Sequence, residues 1–304
     1  MNGIASIVVG VDLGGTRLRA AAVTADPSVV VAGNATDLTA SAAPSTLRDF
    51  TDSIETLLGA AEALGPVARL GITVPGLVHG TTCRWVPNLP YLDGVDLAAL
   101  TSTTVVAGHD AHLALLAEAT EGVATDRANA FLLAIGTGIG SAVLAGGRIQ
   151  RGDSGAACSF GWACADIGDP GNDRHGWLER QAAGRTLDAL GATMRPSVDG
   201  AGLIAAAVVG DEAAREALTS VAVALGTSLA GAIALLDPGL VIISGGVADA
   251  VEVLSAPLRD AMARHLPPHL RETEITRGAL GPKAGLVGAL IAARRGPDRW
   301  TAIR

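Results

Sequence analysis

The chain has 304 residues, which is enough for about two domains. Hydrophobic residues make up 49% of it and charged residues only 17%, so we expect a large core and exclude extensive disorder. The net charge of −8 argues against a nucleic-acid-binding surface, and three cysteines are too few for a disulfide scaffold and fit a reducing cytoplasm.

The start of the chain carries no targeting signal. No Lys or Arg precedes Arg17, so the positively charged beginning of a signal peptide is missing. The longest apolar stretch, residues 229–247, is interrupted by Asp237-Pro238-Gly239, whereas a membrane span needs about 20 apolar residues. We therefore expect a soluble, cytoplasmic protein without a membrane partner.

The first element is an apolar strand that ends in a glycine turn. Residues 7–11 are rich in β-branched side chains, which predicts a buried strand, and residues 17–23 can return as the second strand of a hairpin. Asp12, Gly14 and Gly15 lie between them. Glycines leave backbone N–H groups accessible to phosphate, and a neighbouring carboxylate can hold a hydrated magnesium ion. An ordinary Gly-Gly hairpin is the alternative.

Strands and helices alternate along the rest of the chain, as in an α/β protein. Apolar residues at helical spacing predict helices over residues 47–64, 111–120, 178–190 and 284–294 and within 211–236. Apolar runs predict strands over residues 69–74, 103–106, 131–135, 141–145 and 240–243. Asp110 stands where the N-cap of a helix is expected.

A second glycine-rich segment repeats the opening pattern. The strand at residues 131–135 runs into GTGIG at residues 136–140, and a returning strand follows. We interpret this repeat as an internal duplication of a phosphate-binding hairpin. Residues 152–176 are polar and rich in glycine and have no periodicity, and loops of that length tend to be functional.

Five motifs occur together in a fixed order: DLGGT at 12–16, GITVPGLV at 71–78, PNLP at 87–90, HDA at 109–111 and GTGIG at 136–140. In this order they resemble the ROK family of sugar kinases and repressors, a glucokinase-like group within the actin-like ATPase superfamily. The resemblance implies an α/β, two-domain actin-like ATPase (ribonuclease H-like) fold with an interdomain cleft. We expect a smaller domain at 1–110, to which a C-terminal helix at about 284–304 returns, and a larger domain at 111–283; the boundary near Asp110 rests on the internal repeat alone. Members of the family are commonly homodimers.

The resemblance also implies an ATP site built from glycine turns, with Mg²⁺ held through water by Asp12. The residues that match the family's ATP- and phosphate-binding positions are Asp12, Gly14, Gly15, Thr16, Gly136, Thr137, Gly138, Gly140, Gly245 and Gly246. For the last two, a plain strand-to-helix turn is the alternative.

Asp110 matches the family's catalytic base. A carboxylate can take the proton of an attacking hydroxyl during phosphoryl transfer, and a helix N-cap without chemistry is the alternative. The expected substrate-binding residues are Asn88, His109, Asp110, Glu179 and Gly76. Asn88 follows a proline and could equally be a turn residue.

The chain departs from the family pattern in the long loop and beside the base. His109 replaces the usual Asn, and the loop motif Gly-Glu-x-Gly-His has become Gly-Ala-Ala-Cys-Ser, with Ala156 in place of the Glu and Ser159 in place of the His. The family's zinc-binding stretch aligns with residues 169–179, which contain no cysteine, and Trp177 takes the place of the last one.

We therefore expect a divergent branch with no structural zinc. Cys158, Cys164 and His175 lack the short spacing of a zinc site, so we interpret His175 as an ordinary loop histidine. We expect packing around Trp162 and Trp177 to stabilise the loop.

The sequence favours an ATP-dependent kinase that phosphorylates the primary hydroxyl of a glucose-like sugar or cyclitol. By resemblance, the Glu and His replaced by Ala156 and Ser159 bind the anomeric side of glucose, so their loss favours a specialised substrate. ROK-like branches that act on 2-epi-5-epi-valiolone or kanosamine are linked to antibiotic biosynthesis, and we expect a substrate of this kind. A glucokinase whose rebuilt loop uses Asp153 or Asp166 is one alternative, and a non-catalytic sugar-binding or regulatory ROK protein is another. Only eleven residues precede Asp12, so we expect no DNA-binding domain and no nucleic-acid partner.

Overall fold

The computed structural model describes residues 5–157 and 159–303. Its strands are β1 (Ile7–Leu13), β2 (Arg17–Thr24), β3 (Thr36–Ala42), β4 (Val67–Val74), β5 (Leu77–His79), β6 (Thr82–Trp85), β7 (Val105–His109), β8 (Ala130–Ile135), β9 (Ile139–Ala145), β10 (Arg148–Ile149), β11 (Val241–Gly245) and β12 (Ile275–Arg277). Its α-helices are α1 (Leu47–Glu62), α2 (Asp110–Glu121), α3 (Trp177–Ala182), α4 (Gly184–Thr193), α5 (Gly200–Val208), α6 (Glu212–Leu236), α7 (Val251–His265) and α8 (Ala284–Arg295).

The described chain divides into two compact units. The first contains residues 5–126, 147–157 and 282–303, and the second contains residues 127–146 and 159–281. The predicted domain limits, 1–110 with 284–304 and then 111–283, stay a prediction. Helix α2, which begins at Asp110, lies in the first unit.

The first unit is built on a sheet in the order β3-β2-β1-β4-β7. Strand β1 pairs antiparallel with β2 and parallel with β4, and every residue of β1 is buried. Helices α2 and α8 pack against each other. A Cβ at Gly288 would collide with the carbonyl oxygen of Leu113, so the glycine lets α8 approach the helix that begins at Asp110. This packing fixes the start of α2 at the end of β7.

The second unit is built on a sheet that includes the order β9-β8-β11-β12. Strands β8 and β9 form the predicted second hairpin, with Ile135 opposite Ile139. Helix α6 packs against α7 and contributes much of the unit's apolar core. Among the described residues, α6 is also the one helix whose length and composition would suit a membrane span. However, 56% of its most apolar 18-residue stretch is buried, which is typical of a core helix.

Most predicted elements are confirmed, with corrections at their ends. The predicted helix at 178–190 is wrong as a single element, because the chain breaks at Ala183 and forms α3 and α4. Asp110 is not the N-cap of α2; that position belongs to His109. Strand β9 begins at Ile139, two residues before the predicted start, so Gly140 lies within the strand. The sequence did not indicate β3, β5, β6, β12, α5 or α7.

Candidate active site

The turn between β1 and β2 leaves its backbone open. It is closed by one hydrogen bond from the N–H of Gly14 to the carbonyl of Arg17, at 2.8 Å. Gly15 and Thr16 are exposed, and within residues 5–157 and 159–303 no hydrogen bond occupies their N–H groups. Exposed N–H groups in a tight turn can bind an anion. The turn is therefore suited to phosphate, as the sequence indicates.

Asp12 lies at the end of β1 with both carboxylate oxygens engaged. Its Oδ1 accepts a hydrogen bond from the Thr73 hydroxyl at 2.8 Å, and Thr73 itself accepts from the N–H of Leu13 at 3.1 Å. Its Oδ2 pairs with the guanidinium of Arg19, the residue directly opposite in the β1–β2 register. Sequence reasoning missed Thr73 and Arg19. The cross-strand pairing of Asp12 with Arg19 is a signal that could have identified Arg19.

The environment of Asp12 is compatible with a hydrated divalent cation. A Cβ at Gly285, near the N-terminus of α8, would lie 2.7 Å from Oδ1, and helix N-termini favour negative charge. Each carboxylate oxygen has two lone pairs, so Oδ1 and Oδ2 can still accept from metal-bound water. Mg²⁺ commonly binds through one carboxylate, waters and substrate phosphates. Asp12 could hold it in this way.

The first turn also brings Asn88 close. A Cβ at Gly15 would lie 3.2 Å from the Cβ of Asn88, whose side chain is exposed. The buried Gly76 has a different surrounding: a Cβ there would collide with the carbonyl oxygen of Trp85. Packing within this hairpin therefore explains why position 76 is glycine, and its predicted substrate-binding role stays a prediction.

Asp110 is the first residue of α2 and is held by the backbone. Its Oδ1 accepts from the N–H of Ala111 at 2.6 Å, and Nδ1 of His109 accepts from the same N–H at 3.2 Å. The Asp110 side chain is 41% exposed. A fixed and accessible carboxylate of this kind can act as a general base.

A second histidine lies behind His109. The ring of His112 is centred 5.3 Å from that of His109, and its Nε2 contacts the carbonyl oxygen of Ala157 at 3.3 Å. Burial lowers the pKa of His112 to about 3. Because a neutral imidazole donates from one nitrogen, we assign the proton to Nε2.

The second glycine turn joins β8 to β9 and is tied to α4. The N–H of Gly136 donates to the carbonyl of Gly138 at 2.9 Å, and the N–H of Gly184 donates to the carbonyl of Gly136 at 2.7 Å. Gly136 and Thr137 are exposed. Gly140 pairs with Ala134 in the sheet and so lies outside the turn.

Glu179 lies against this second turn. Its Oε2 accepts from the N–H of Ile139 at 3.2 Å, and a Cβ at Gly138 would lie 2.8 Å from the same oxygen. Its Oε1 lies 2.9 Å from Nδ1 of His175, and Nε2 of His175 lies 2.8 Å from a guanidinium nitrogen of Arg185. Since Arg can only donate, His175 accepts at Nε2 and donates from Nδ1 to Glu179.

His175 lies in the loop ahead of α3, as the sequence indicates, and the structure adds contacts that the sequence did not predict. It orients Glu179 and links it to Arg185. The two residues are only four apart in the sequence, although His175 precedes the helix that carries Glu179. The part played by Arg185 had no local signal.

Gly245 lies beside the strand that leads into the second turn. It ends β11 with φ 82°, and a Cβ there would collide with the carbonyl oxygen of Ile135. Gly246 follows in a short 3₁₀ helix. The second unit thus brings together the turn at 136–138, Glu179 and Gly245, while the first unit brings together the turn at 14–16, Asp12 and Asn88.

Polar contacts, rather than the two tryptophans alone, hold the loop at 159–176. Oδ1 of Asp166 and Oδ1 of Asp169 each accept from a backbone N–H two residues ahead, at 2.8 Å, and Asp169 pairs with Arg180 at 2.7 Å. Trp177 packs against the core, whereas Trp162 is 42% exposed. The expectation of packing around both residues is correct only for Trp177.

The sequence predicts that the loop holds no structural zinc, because Cys158, Cys164 and His175 lack the spacing of a zinc site. Cys158 lies outside the described residues. Within the part of the chain that the structure describes, no group of three or more His, Cys, Asp or Glu side chains could hold a metal ion. The absence of structural zinc stays a prediction.

Comparison with known proteins places the chain in a family. The ROK family model matches residues 8–295. The glucokinase of Streptomyces coelicolor is 28% identical over 96% of this chain and 98% of its own length. The N-acetylmannosamine kinase of Shigella flexneri is 30% identical over 79% of this chain and 83% of its own length.

A solved structure agrees with these relatives. A ROK family glucokinase from Streptomyces griseus, crystallised with glucose and AMPPNP, has a TM-score of 0.77 at 27% sequence identity, covering 95% of this chain and 100% of that chain. Together with the family match, this similarity shows the two-domain actin-like ATPase fold. The predicted resemblance is confirmed, and the chain belongs to the ROK family.

Proposed function

We propose that this chain is an ATP-dependent kinase that transfers the γ-phosphoryl group to the primary hydroxyl of a sugar or sugar-like cyclitol. The observation that carries the proposal is Asp110, an accessible carboxylate fixed at the start of α2 by the N–H of Ala111. Such a group can accept the hydroxyl proton as the new O–P bond forms. Relatives named as sugar kinases support the reaction class.

We assign phosphate binding to the two glycine turns. Gly15 and Thr16 offer backbone N–H groups in the first unit, where Gly14 closes the turn, and Thr137 and Gly138 offer them in the second, where Gly136 closes the turn. Phosphoryl transfer depends on positioning and on stabilising the charge of the phosphates, so backbone donors suit this task. Magnesium, when bound through water at Asp12, would neutralise part of that charge.

Four residues are proposed to bind the acceptor. Asn88 presents an amide beside the first turn, His109 and Asp110 lie at the start of α2, and Glu179 is oriented by His175. Each carries a hydrogen-bonding group suited to a polyhydroxylated ligand. Glu179 is the most rigidly held, because Ile139 and His175 fix one carboxylate oxygen each.

The finer proposal is a specialised acceptor. Ala156 and Ser159 replace a Glu and a His that, by resemblance, grip the anomeric side of glucose. Hydrogen bonds to charged groups contribute roughly 1.5–3 kcal/mol each, so losing one or two lowers the efficiency toward glucose by about ten-fold to several thousand-fold. A cyclitol without an anomeric centre, or an amino sugar such as kanosamine, would not need that grip.

A glucokinase with a rebuilt loop is the second candidate. Asp153 or Asp166 would supply the missing partners, but Oδ1 of Asp166 already accepts from the N–H of Gly168 at 2.8 Å. A non-catalytic regulatory protein is the third, and the accessible Asp110 argues against it. That the protein is a cytoplasmic homodimer that binds neither nucleic acid nor membrane stays a prediction.

The test compares acceptors under identical conditions. We expect kcat/KM for 2-epi-5-epi-valiolone or kanosamine to exceed that for glucose and for N-acetylmannosamine, measured by coupled ADP release. If glucose equals or exceeds both specialised acceptors, the chain is a glucokinase with an altered loop. Sugar binding without ADP release from any acceptor would favour the regulatory alternative.

A further inference from the structure

His109 and Asp110 face one shared hydrogen-bond donor. Nδ1 of His109 lies 3.1 Å from Oδ1 of Asp110, and both atoms accept from the N–H of Ala111, at 3.2 and 2.6 Å. Because Nδ1 accepts, the imidazole proton is on Nε2. Two acceptor atoms at 3.1 Å repel each other, and a proton placed between them converts this repulsion into a charge-assisted hydrogen bond.

We propose that His109 is the proton acceptor behind Asp110. The inference rests on the proposed role of Asp110 as the base. It assigns to His109 a task beyond substrate binding: restoring the Asp110 carboxylate after each transfer. His109 acts through Asp110 and is therefore a positioning residue that also carries a proton.

The step balances as follows. The substrate oxygen forms a bond to the γ-phosphorus, the bond from that phosphorus to the β–γ bridging oxygen breaks, and ADP is the leaving group. The hydroxyl proton passes to Asp110. The resulting carboxylic acid rotates about Cβ–Cγ and gives the proton to Nδ1 of His109. His109 becomes an imidazolium and, being 25% exposed, releases a proton to solvent.

The surroundings of His109 leave Asp110 as its anionic partner. Two residues of α2 face the His109 ring: Asp110, and His112, whose ring centre lies 5.3 Å away. Burial lowers the pKa of His112 to about 3, so this neighbour adds no charge above pH 5. From the segment after β10, Arg151 contributes a positive charge that acts on His112. The Asp110 carboxylate is therefore in direct contact with the imidazole that would take its proton.

The kinetic test uses His109→Asn. Asn is among the best N-cap residues, so this variant keeps the start of α2 but cannot take a proton. For the wild type we expect kcat to fall as the pH is lowered, because a protonated His109 cannot take the proton from Asp110. In His109→Asn this fall of kcat at low pH should be absent. Its kcat should be roughly ten-fold lower than that of the wild type, a smaller loss than the 10²–10⁴-fold expected when a direct base is removed. His265→Asn, at an exposed histidine, should keep the wild-type profile.

A second measurement does not depend on turnover. ¹⁵N NMR of the His109 ring, assigned by its absence in His109→Asn, should show a neutral imidazole with its proton on Nε2, because Nδ1 accepts from the N–H of Ala111. A neutral ring with its proton on Nδ1 overturns the proposal whatever the activity. A proton on Nε2 together with a wild-type pH profile in His109→Asn overturns the proton transfer and leaves the kinase function intact. If the wild type phosphorylates no acceptor, the proposed function fails, and the proton transfer fails with it.

Discussion

Arg19 lies directly opposite Asp12 in the first hairpin, and its guanidinium pairs with the carboxylate oxygen Oδ2. The proposed magnesium site is thus shared with a fixed positive charge. Two like charges about 4 Å apart repel by about 1 kcal/mol in water and more near a protein surface. We therefore expect Arg19 to weaken the binding of a cation at Asp12.

Replacing Arg19 by Met should strengthen divalent-cation binding several-fold, because the competing charge is removed while the aliphatic stem is kept. The measurement is Mn²⁺ binding in the presence of ATP, followed by EPR or calorimetry. Arg48→Met is the control, because Arg48 is exposed and pairs only loosely with Asp52 at 3.9 Å. Equal or weaker Mn²⁺ binding in Arg19→Met would contradict the competition.

Gly138 and Gly136 form a matched pair within the second turn. A Cβ at Gly138 would lie 2.8 Å from Oε2 of Glu179, whereas a Cβ at Gly136 meets nothing within 4 Å. Gly138→Ala should displace Glu179 and lower kcat/KM for the acceptor by roughly ten-fold to a hundred-fold, the equivalent of one charged hydrogen bond of about 1.5–3 kcal/mol.

Gly136→Ala instead fills the open side of the turn and should raise the KM for ATP, with less effect on the acceptor. Steady-state kinetics with each substrate varied in turn separates the two effects. The assignment of Glu179 to the acceptor would be wrong if Gly138→Ala changed only the KM for ATP.

His112 makes the fold sensitive to acid. Burial lowers its pKa to about 3, from about 6.5 in the unfolded chain, so between these values the unfolded state binds more protons. The contribution of the neutral, buried His112 to the stability of the fold is complete above pH 6.5 and is lost as the pH falls toward 3. When the pH is lowered from 7 to 5, the burial of His112 should lower the free energy of unfolding by about 2 kcal/mol.

Urea denaturation at the two pH values measures this loss. His112→Gln keeps a donor toward the carbonyl of Ala157 but cannot become charged, so its stability should change less over the same interval. His265→Asn, at a surface histidine, should lose as much as the wild type. Equal losses in wild type and His112→Gln would show that another group controls the acid response.

Local patterns in the sequence predicted the parts of the site that neighbouring residues build. The first hairpin and its glycine turn follow from one apolar run, two glycines and a second run within residues 7–23. The repeat at residues 131–145 follows in the same way. In both cases the strands pair with their immediate neighbour, so no distant contact decides the outcome.

Distant contacts explain what the sequence did not show. The break at Ala183 lets the N–H of Gly184 reach the carbonyl of Gly136, nearly fifty residues away in the chain. Arg185 then meets His175 because α4 starts there. In the same way, Thr73 reaches Asp12 only because β4 pairs with β1.

The central claim, that Asp110 is the base of an ATP-dependent sugar or cyclitol kinase, is tested most directly by turnover of Asp110→Asn beside the wild type. The product of the preferred acceptor is identified by mass spectrometry, and ATP binding is measured by calorimetry. We predict a phosphorylated product with the wild type, a kcat about 10²–10⁴-fold lower in Asp110→Asn, and similar ATP binding in both. Turnover of Asp110→Asn within a few-fold of the wild type would contradict the claim.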